Sequence, residues 1–183
     1  MVFIMQNCVE INNRKLEKTD IKSLNLEELK EDYFRHAYGD LWKDAVAYLE
    51  AIDEHMPQTY IEAKHTIKLT GGQYYNPDMK EKFEAVKGIT EAMEEKFKPF
   101  RNMPYRVQTV AVRLLMEHAI YCRGFAEALA LKCVGKDADA QEKAMAFLDD
   151  FGSHELAMER YYDHMMAAHA LKAIFNTRSE FSQ

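Results

Sequence analysis

The sequence predicts an all-α fold, an antiparallel helical bundle of about six or seven helices with one long central helix. Apolar residues recur at helical spacing through most of the chain after residue 25. No run of alternating β-branched residues competes with helix, and Gly or Pro marks the ends of the periodic segments. Because the connections are short, neighbouring helices are expected to run antiparallel.

The 183 residues suffice for one domain with a substantial core that needs neither disulfides nor metal. Residues 1–24 mix apolar, Asn and Lys residues without a sustained period. They are therefore predicted to be a lead-in or linker segment whose order depends on docking. Residues 25–183 are predicted to form a single all-helical domain.

The first two predicted helices meet at a tight corner. Asn25 can cap the first helix, and Gly39 can end it in the left-handed conformation. Asp40 is then expected to cap the second helix, which ends before Pro57. The predicted buried stripe of this second helix comprises Trp42, Val46 and Leu49.

Pro57 is predicted to begin a third helix, which the Gly71-Gly72 pair ends. The loop that follows carries Tyr74 and Tyr75. Aromatic rings on a loop can contact a ligand or a neighbouring domain, or they can pack within the loop, and the sequence leaves both readings open. Trp42, Tyr74 and Tyr75 are the candidate interface or ligand-contact residues.

Three further helical regions follow. Asn76-Pro77-Asp78 is a start signal for a helix that extends to about residue 99. The longest helix is predicted over residues 104–134, with an apolar stripe of roughly eight turns at about 3.6 residues per turn. Residues 139–176 are predicted to be helical with a break at Gly152-Ser153.

The overall charge argues against two classes of partner. A net charge of -6 and a pI near 5.7 disfavour nucleic acid and anionic membrane. Lys and Arg are interspersed with Glu and Asp, so no basic stripe is expected. No apolar run approaches the ~20 residues of a membrane span, and no signal-peptide core is visible. The localisation is left open, cytoplasmic if the chain is complete.

The sequence contains one weak match to a metal-binding pattern. Di-metal carboxylate bundles need Glu-x-x-His on two helices and further Glu ligands, and only Glu62-x-x-His65 fits. No metal and no cofactor are therefore predicted. His118 falls on the apolar stripe of the long helix, where a histidine is expected to be a hydrogen-bonded core residue rather than a catalytic base.

The cysteines show no metal-ligand spacing either. Their number is odd, which favours reduced thiols in a core or at a helix face. They are Cys8, Cys122 and Cys133. No nucleophile elbow and no phosphate-binding glycine loop is present, so no catalytic residue is assigned.

The corner carries a resemblance to a known group of enzymes. Tyr33-Phe34-x-x-x-Tyr38-Gly39, with Tyr48-Leu49 downstream, resembles the segment that opens the helical region behind the barrel in certain multidomain bacterial glycoside hydrolases. These are hexosaminidase-like and α-glucuronidase-like enzymes and related proteins with an uncharacterised domain. The later order, a long helix from Arg106 and then Gly135-Lys136-Asp137, is similar as well. The similarity covers about residues 25–175.

The resemblance implies a non-catalytic helical accessory domain of a larger bacterial carbohydrate-active glycoside hydrolase, which supports its catalytic barrel. In that family the catalytic carboxylates belong to the barrel, which needs ~250 residues, so none is carried over to this chain. The implied partner is the barrel domain of a parent protein, with self-association as a further possibility. Alternatively, the chain is a free-standing helical bundle that binds a protein, or a metal through Glu62 and His65. An enzyme whose site is assembled from scattered polar residues would leave no local signal.

Overall fold

The structure, a computed structural model, describes residues 25–62, 74–154 and 163–176. Throughout these ranges the regular secondary structure is helical, which confirms the all-α prediction. The α-helices are α1 (Leu26–Tyr38), α2 (Trp42–His55), α3 (Gln58–Ile61), α4 (Lys80–Phe97), α5 (Arg106–Lys132), α6 (Asp137–Gly152) and α7 (His164–Phe175). Short 3₁₀ helices cover Gly39–Leu41, Pro77–Met79 and Lys98–Phe100.

The chain divides into two compact units, Met1–Tyr33 and Phe34–Gln183. The predicted lead-in, residues 1–24, lies outside the described residues. In the first unit, the Asn25 side chain accepts a hydrogen bond from the Glu27 amide at 3.1 Å, so the predicted cap of α1 is present. All contacts described below belong to the second unit.

The corner between α1 and α2 confirms one prediction and corrects another. Gly39 has φ +58°, the left-handed conformation that glycine adopts without steric cost. Asp40, however, does not cap α2: a 3₁₀ turn joins the helices, and no side chain caps α2 at Leu41. The Trp42 amide already donates to the Gly39 carbonyl, so the chain continues from one helix into the next without a separate start.

The buried face of α2 also differs from the prediction. Trp42, Val46 and Leu49 are only half-buried, and the buried residues are Ala45, Tyr48 and Ile52. The buried stripe is therefore rotated by about one residue, or roughly 100°. Helix α2 packs against α4, and the small side chain of Ala45 is fully buried, which a hydropathy pattern does not register.

Helix α5, with 27 residues, is the longest described helix and packs against both α4 and α6. The sequence predicts an apolar stripe on α4 at Met79, Phe83, Val86, Met93 and Phe97. The structure buries the last four, whereas Met79 lies before the helix and is half-buried. Gly124 of α5 marks the crossing with α6, because a Cβ there would lie 2.2 Å from the Phe147 ring. The crossing is thus closer than any side chain at position 124 would allow without a shift of Phe147.

Aromatic rings join α5 to the last two described helices. Tyr121 packs against Phe151 of α6, with ring centroids 5.7 Å apart, and Phe125 packs edge-on against Phe175 of α7 at 6.0 Å. The Tyr121 hydroxyl donates to the Ala167 carbonyl at 3.3 Å. Asp163 caps α7 by accepting a hydrogen bond from the Met166 amide. Across the described ranges, no helix combines the length and apolar character that crossing a membrane requires.

Candidate functional site

Trp42, the only tryptophan of the chain, lies at the start of α2 and is half-buried. The guanidinium carbon of Arg35 lies 5.0 Å from the centroid of its ring, and the Nζ atom of Lys43 lies 5.6 Å away. Both distances are within the range of a cation–π interaction. Two cations therefore lie within interaction distance of the indole ring at the corner.

The two predicted loop tyrosines differ in environment. Tyr74 is buried, its ring packs against Tyr60 with centroids 5.8 Å apart, and its hydroxyl donates to the Ile61 carbonyl at 3.3 Å. Burial raises the pKa of Tyr74. Tyr75 is exposed and lies beside Gly135 at the end of α5. Of the two, only Tyr75 presents its ring to solvent, and contact of Trp42, Tyr74 or Tyr75 with a neighbour stays a prediction.

The structure does not bring Trp42 and Tyr75 together, because they lie near opposite ends of α5. A Cβ placed on Gly39 would lie 3.2 Å from Nε2 of Gln108, so the corner that carries Trp42 contacts the first turn of α5. Lys96, at the end of α4, binds Asp44 of α2 at 2.6 Å. Tyr75, by contrast, lies at the last turn of α5.

The end that carries Trp42 also carries large apolar side chains in solvent. Tyr105 is 70% exposed, Val107 is 67% exposed, and Phe100 is also exposed. All three lie in the connection between α4 and the first turn of α5. We call this surface the aromatic-basic end, and it comprises Trp42, Lys98, Phe100, Arg101, Tyr105 and Val107.

The aromatic-basic end contradicts the expectation that basic residues are evenly interspersed. From Lys96 to Met116 the sequence contains no Asp or Glu. It contains five basic residues, Lys96, Lys98, Arg101, Arg106 and Arg113. The whole-chain balance of charges masked this stretch, and a count of acidic residues in a sliding window would have found it.

The connection that bears these residues is held by its own hydrogen bonds. Arg113 donates from Nε to the Arg101 carbonyl at 3.1 Å and from Nη2 to Asn102 Oδ1 at 2.6 Å. The Thr109 hydroxyl accepts from the Met103 amide at 2.8 Å. The backbone of the connection is therefore fixed against the first two turns of α5.

A second polar cluster joins α2 to α5 in the interior. The Tyr48 hydroxyl and His118 Nδ1 are 3.0 Å apart, and Cys122 Sγ lies 3.5 Å from His118 Nε2. Burial lowers the pKa of His118 to about 4, raises that of the Cys122 thiol to about 12, and raises that of Tyr48 still further. All three groups are neutral near pH 7, and the hydrogen bond between Tyr48 and His118 joins α2 to α5.

His118 is hydrogen-bonded, as predicted, although its side chain is half-buried rather than fully enclosed in the core. A Cys–His pair acts as a nucleophile when the thiolate is favoured, whereas here burial favours the thiol. Cys133 is likewise a free, buried thiol whose pKa burial raises to about 11, while Cys8 lies outside the described residues. The cluster therefore serves as a joint between two helices.

The metal alternative rests on two residues of which the structure describes one. The Glu62 carboxylate accepts a hydrogen bond from Gln58 within α3 and its C-terminal turn, and His65 lies outside the described residues. Within the described part of the chain, no group of three or more His, Cys, Asp or Glu residues is placed to hold a metal ion.

No protein-family model, no curated protein and no solved structure matches the chain.

Proposed function

We propose that this chain is a non-catalytic helical accessory domain that acts by binding a protein surface. Its partner is the catalytic barrel of a larger bacterial carbohydrate-active glycoside hydrolase. The observation that carries the binding role is the aromatic-basic end, where Tyr105 and Val107 stand in solvent among arginine and lysine side chains. Aromatic residues and Arg are enriched in protein interfaces, and exposed apolar groups ringed by polar ones mark such sites.

The arrangement of the helices is part of this proposal. The helices form an antiparallel bundle with α5 as its central member, an arrangement that gives the bundle two ends and a rigid axis between them. The packing of α5 against both α4 and α6 supports it. A rigid axis would hold the surface at one end in a fixed geometry toward a neighbour.

The chemistry of the interior supports binding rather than catalysis. A general base works best when its pKa lies near the operating pH, whereas burial lowers the pKa of His118 to about 4. The neighbouring Cys122 remains a thiol at neutral pH. The polar groups of the interior thus favour a structural joint.

The corner between α1 and α2 supports the choice of partner. Phe34 and Tyr38 stack with centroids 5.8 Å apart directly before Gly39, which has positive φ. These are residues of the motif that resembles the helical region behind glycoside hydrolase barrels. Trp42 follows three residues later, so the resembling segment and the aromatic-basic end adjoin.

A binding experiment with a neighbouring domain tests the proposal. The coding sequence around this segment is read, any barrel encoded in frame or beside it is expressed, and its mixture with this chain is followed by calorimetry. We expect a saturable complex, and we expect no cleavage of aryl glycosides by this chain alone. The lack of any barrel, or a barrel that does not bind, would contradict the proposed partner. Turnover abolished by changes to the chain's own carboxylates would contradict the non-catalytic role.

A further inference from the structure

We infer that the aromatic-basic end is the docking surface of this chain and that its partner presents carboxylate side chains around an apolar contact. This inference rests on the proposed function, since it assigns both a place and a chemistry to the binding. It names a class of partner surface, an acidic protein surface, and it does not require that this surface belong to a barrel.

The first argument is the local charge. The stretch from Lys96 to Met116 lacks acidic residues in a chain whose net charge is -6. In the described corner beside it, the carboxylates are Asp40 and Asp44, and Asp44 is bound to Lys96. Lys98 and Arg101 therefore give this end a positive potential that opposes the charge of the whole molecule, which is the arrangement that steers an acidic partner to one place.

The second argument is the exposed apolar area within this positive region. Tyr105 and Val107 keep more than half of their accessible surface in water, and Trp42 is only half-buried. A partner that covers them removes apolar surface from water at roughly 25 cal/mol per Å². Aromatic and Arg side chains at the centre of a contact are the usual sources of binding energy.

The third argument is preorganisation. Arg113 holds the Arg101 carbonyl and the Asn102 side chain, and Thr109 holds the amide of Met103. The connection therefore does not need to become ordered when a partner arrives. A surface that is fixed beforehand loses less conformational entropy on binding.

Carboxylates fit this surface better than a membrane or a nucleic acid does. An extended polyanion would face the acidic remainder of the chain as well as the basic end, and the net charge of -6 would repel it. A local acidic patch on a protein meets only the basic end. Arg101 donates from Nε to the Met116 sulfur at 3.3 Å, and its two terminal nitrogens can donate paired hydrogen bonds to a carboxylate.

The single tryptophan makes the inference directly measurable, since Trp42 lies at the proposed surface. The probe is a short synthetic peptide without Trp in which Glu alternates with Leu and Phe, titrated into the intact chain while Trp42 emission is recorded. We expect a saturable change in emission that weakens with added salt. A peptide with Lys in place of each Glu is the control and should give no saturable change.

Two variants and a matched control locate the site. Lys98→Glu should weaken binding of the acidic peptide about fivefold, through a lost attraction and a new repulsion. Tyr105→Ser should weaken it about tenfold, as expected for an aromatic contact residue. Lys82→Glu makes the same change of charge at an exposed position near the other end of α4 and should alter binding less than twofold. Far-ultraviolet circular dichroism confirms that each variant is folded.

The outcomes separate this inference from the proposed function. Equal losses in Lys98→Glu and Lys82→Glu, or a response of Trp42 to phosphatidylglycerol vesicles or oligothymidine but not to the peptide, would overturn the docking surface. A barrel that binds with unchanged affinity to Lys98→Glu and Tyr105→Ser would overturn it too and leave the proposed function intact. Binding of the peptide without binding of any barrel would support the docking surface and reject the proposed partner.

Discussion

The two ends of α5 differ in how far their large side chains are exposed to solvent. At the N-terminal end, the aromatic-basic end keeps Tyr105 and Val107 in solvent. At the C-terminal end, Lys132 is fully buried, and its Nζ atom lies 2.9 Å from the Asp137 carboxylate at the start of α6. We call the second surface the closed end, and it comprises Tyr60, Tyr74, Phe83, Lys132, Cys133 and Asp137.

Several polar groups of the closed end are paired within the chain. The Tyr60 hydroxyl donates to the Tyr74 carbonyl, and the Asn76 amide donates to the Cys133 carbonyl at 2.9 Å. The Lys132 cation lies at the C-terminal, negative end of α5, and Asp137 lies at the N-terminal, positive end of α6, so both helix dipoles favour the pair. The comparison teaches that the C-terminal end buries its charged pair and leaves Tyr75 as an exposed ring, whereas the N-terminal end exposes a group of apolar and basic side chains suited to a partner.

Loss of the buried cation is the largest effect that we expect. Lys132→Met leaves Asp137 without its buried counter-charge and should lower the free energy of unfolding by about 3–5 kcal/mol. Urea denaturation followed by circular dichroism measures this change. Lys143 supplies the matched control, because it binds Glu127 at 2.8 Å between the same two helices but remains exposed.

For that control, Lys143→Met should cost less than about 1 kcal/mol, as is usual for exposed ion pairs. A double change, Lys132→Met with Asp137→Asn, should recover part of the loss, because no buried charge is then left alone. Equal costs for the two lysine variants would contradict the description of a closed end.

The pH dependence of the free energy of unfolding tests how well His118, between the two ends of α5, is shielded from solvent. Its folded pKa is lowered from 6.5 to about 4, so the unfolded chain binds the proton first as the pH falls. The stability that His118 contributes is complete above about pH 6.5 and is lost between pH 6.5 and 4. The loss amounts to roughly 3 kcal/mol at most.

His118→Gln keeps an acceptor for the Tyr48 hydroxyl and removes the titration. The difference in free energy of unfolding between the parent chain and this variant, measured by urea denaturation at pH 7, 6, 5 and 4, should shrink as the pH falls. Taking the difference removes the contribution of carboxylates that titrate in the same range. A difference that stays constant from pH 7 to 4 would show that His118 takes up its proton without cost and is open to solvent.

A pair of glycine variants tests the packing between the two ends. Gly124→Ala forces the Phe147 ring to move away from α5 and should lower stability by about 1–3 kcal/mol. Gly88→Ala in α4 meets no atom within 4 Å and should raise stability by up to about 1 kcal/mol through helix propensity. Thermal denaturation of both variants shows whether each change raises or lowers stability. Stabilisation by both would show that the α5–α6 crossing is loosely packed.

We expect the smallest effect from removing one tyrosine hydroxyl at each end of α5. Tyr60→Phe removes a buried hydroxyl that donates to the Tyr74 carbonyl and should cost about 1 kcal/mol. Tyr105→Phe removes a hydroxyl from a ring that is 70% exposed and should change stability by less than about 0.5 kcal/mol. Matched urea denaturation curves measure both, and a larger loss at Tyr105 would place that ring in a stabilising contact.

Sequence patterns predicted the helices where local chemistry decides the structure. The positive φ of Gly39 and most of the α4 stripe depend on neighbours in the chain, and the structure confirms them. Pro77 begins the 3₁₀ turn before α4, as the start signal predicted, but the Asn76 side chain does not cap it. The pattern assigned the wrong face to α2, because burial there depends on the partner that faces Ala45 and Tyr48 rather than on hydropathy. The Asp40 cap was wrong because two helices joined by a 3₁₀ turn leave no free first turn to cap.

The sequence predicted less of the candidate site than of the fold. Trp42 was singled out, and it lies at the aromatic-basic end. The periodicity placed Val107 on the apolar stripe of the long helix, which is wrong, because Val107 lies in the first turn of α5 and is 67% exposed; the exposure of Tyr105 was not predicted either. The burial of Lys132 could not be predicted either, since a lysine pattern does not reveal a counter-charge five residues later across a turn. Local composition, the absence of acidic residues from Lys96 to Met116, was the available signal.

Burial of Tyr48 and Tyr60 has a consequence for the absorbance of the protein in alkali. Burial raises the pKa of both phenols far above the ordinary value of 10.0, so neither forms a phenolate while the chain is folded. The unfolded chain releases these protons near pH 10, and folding stability therefore falls as the pH rises above that value. The rise in phenolate absorbance from Tyr48 and Tyr60 should therefore coincide with loss of the helical signal. The spectrum of an alkaline titration thus reports the opening of the core.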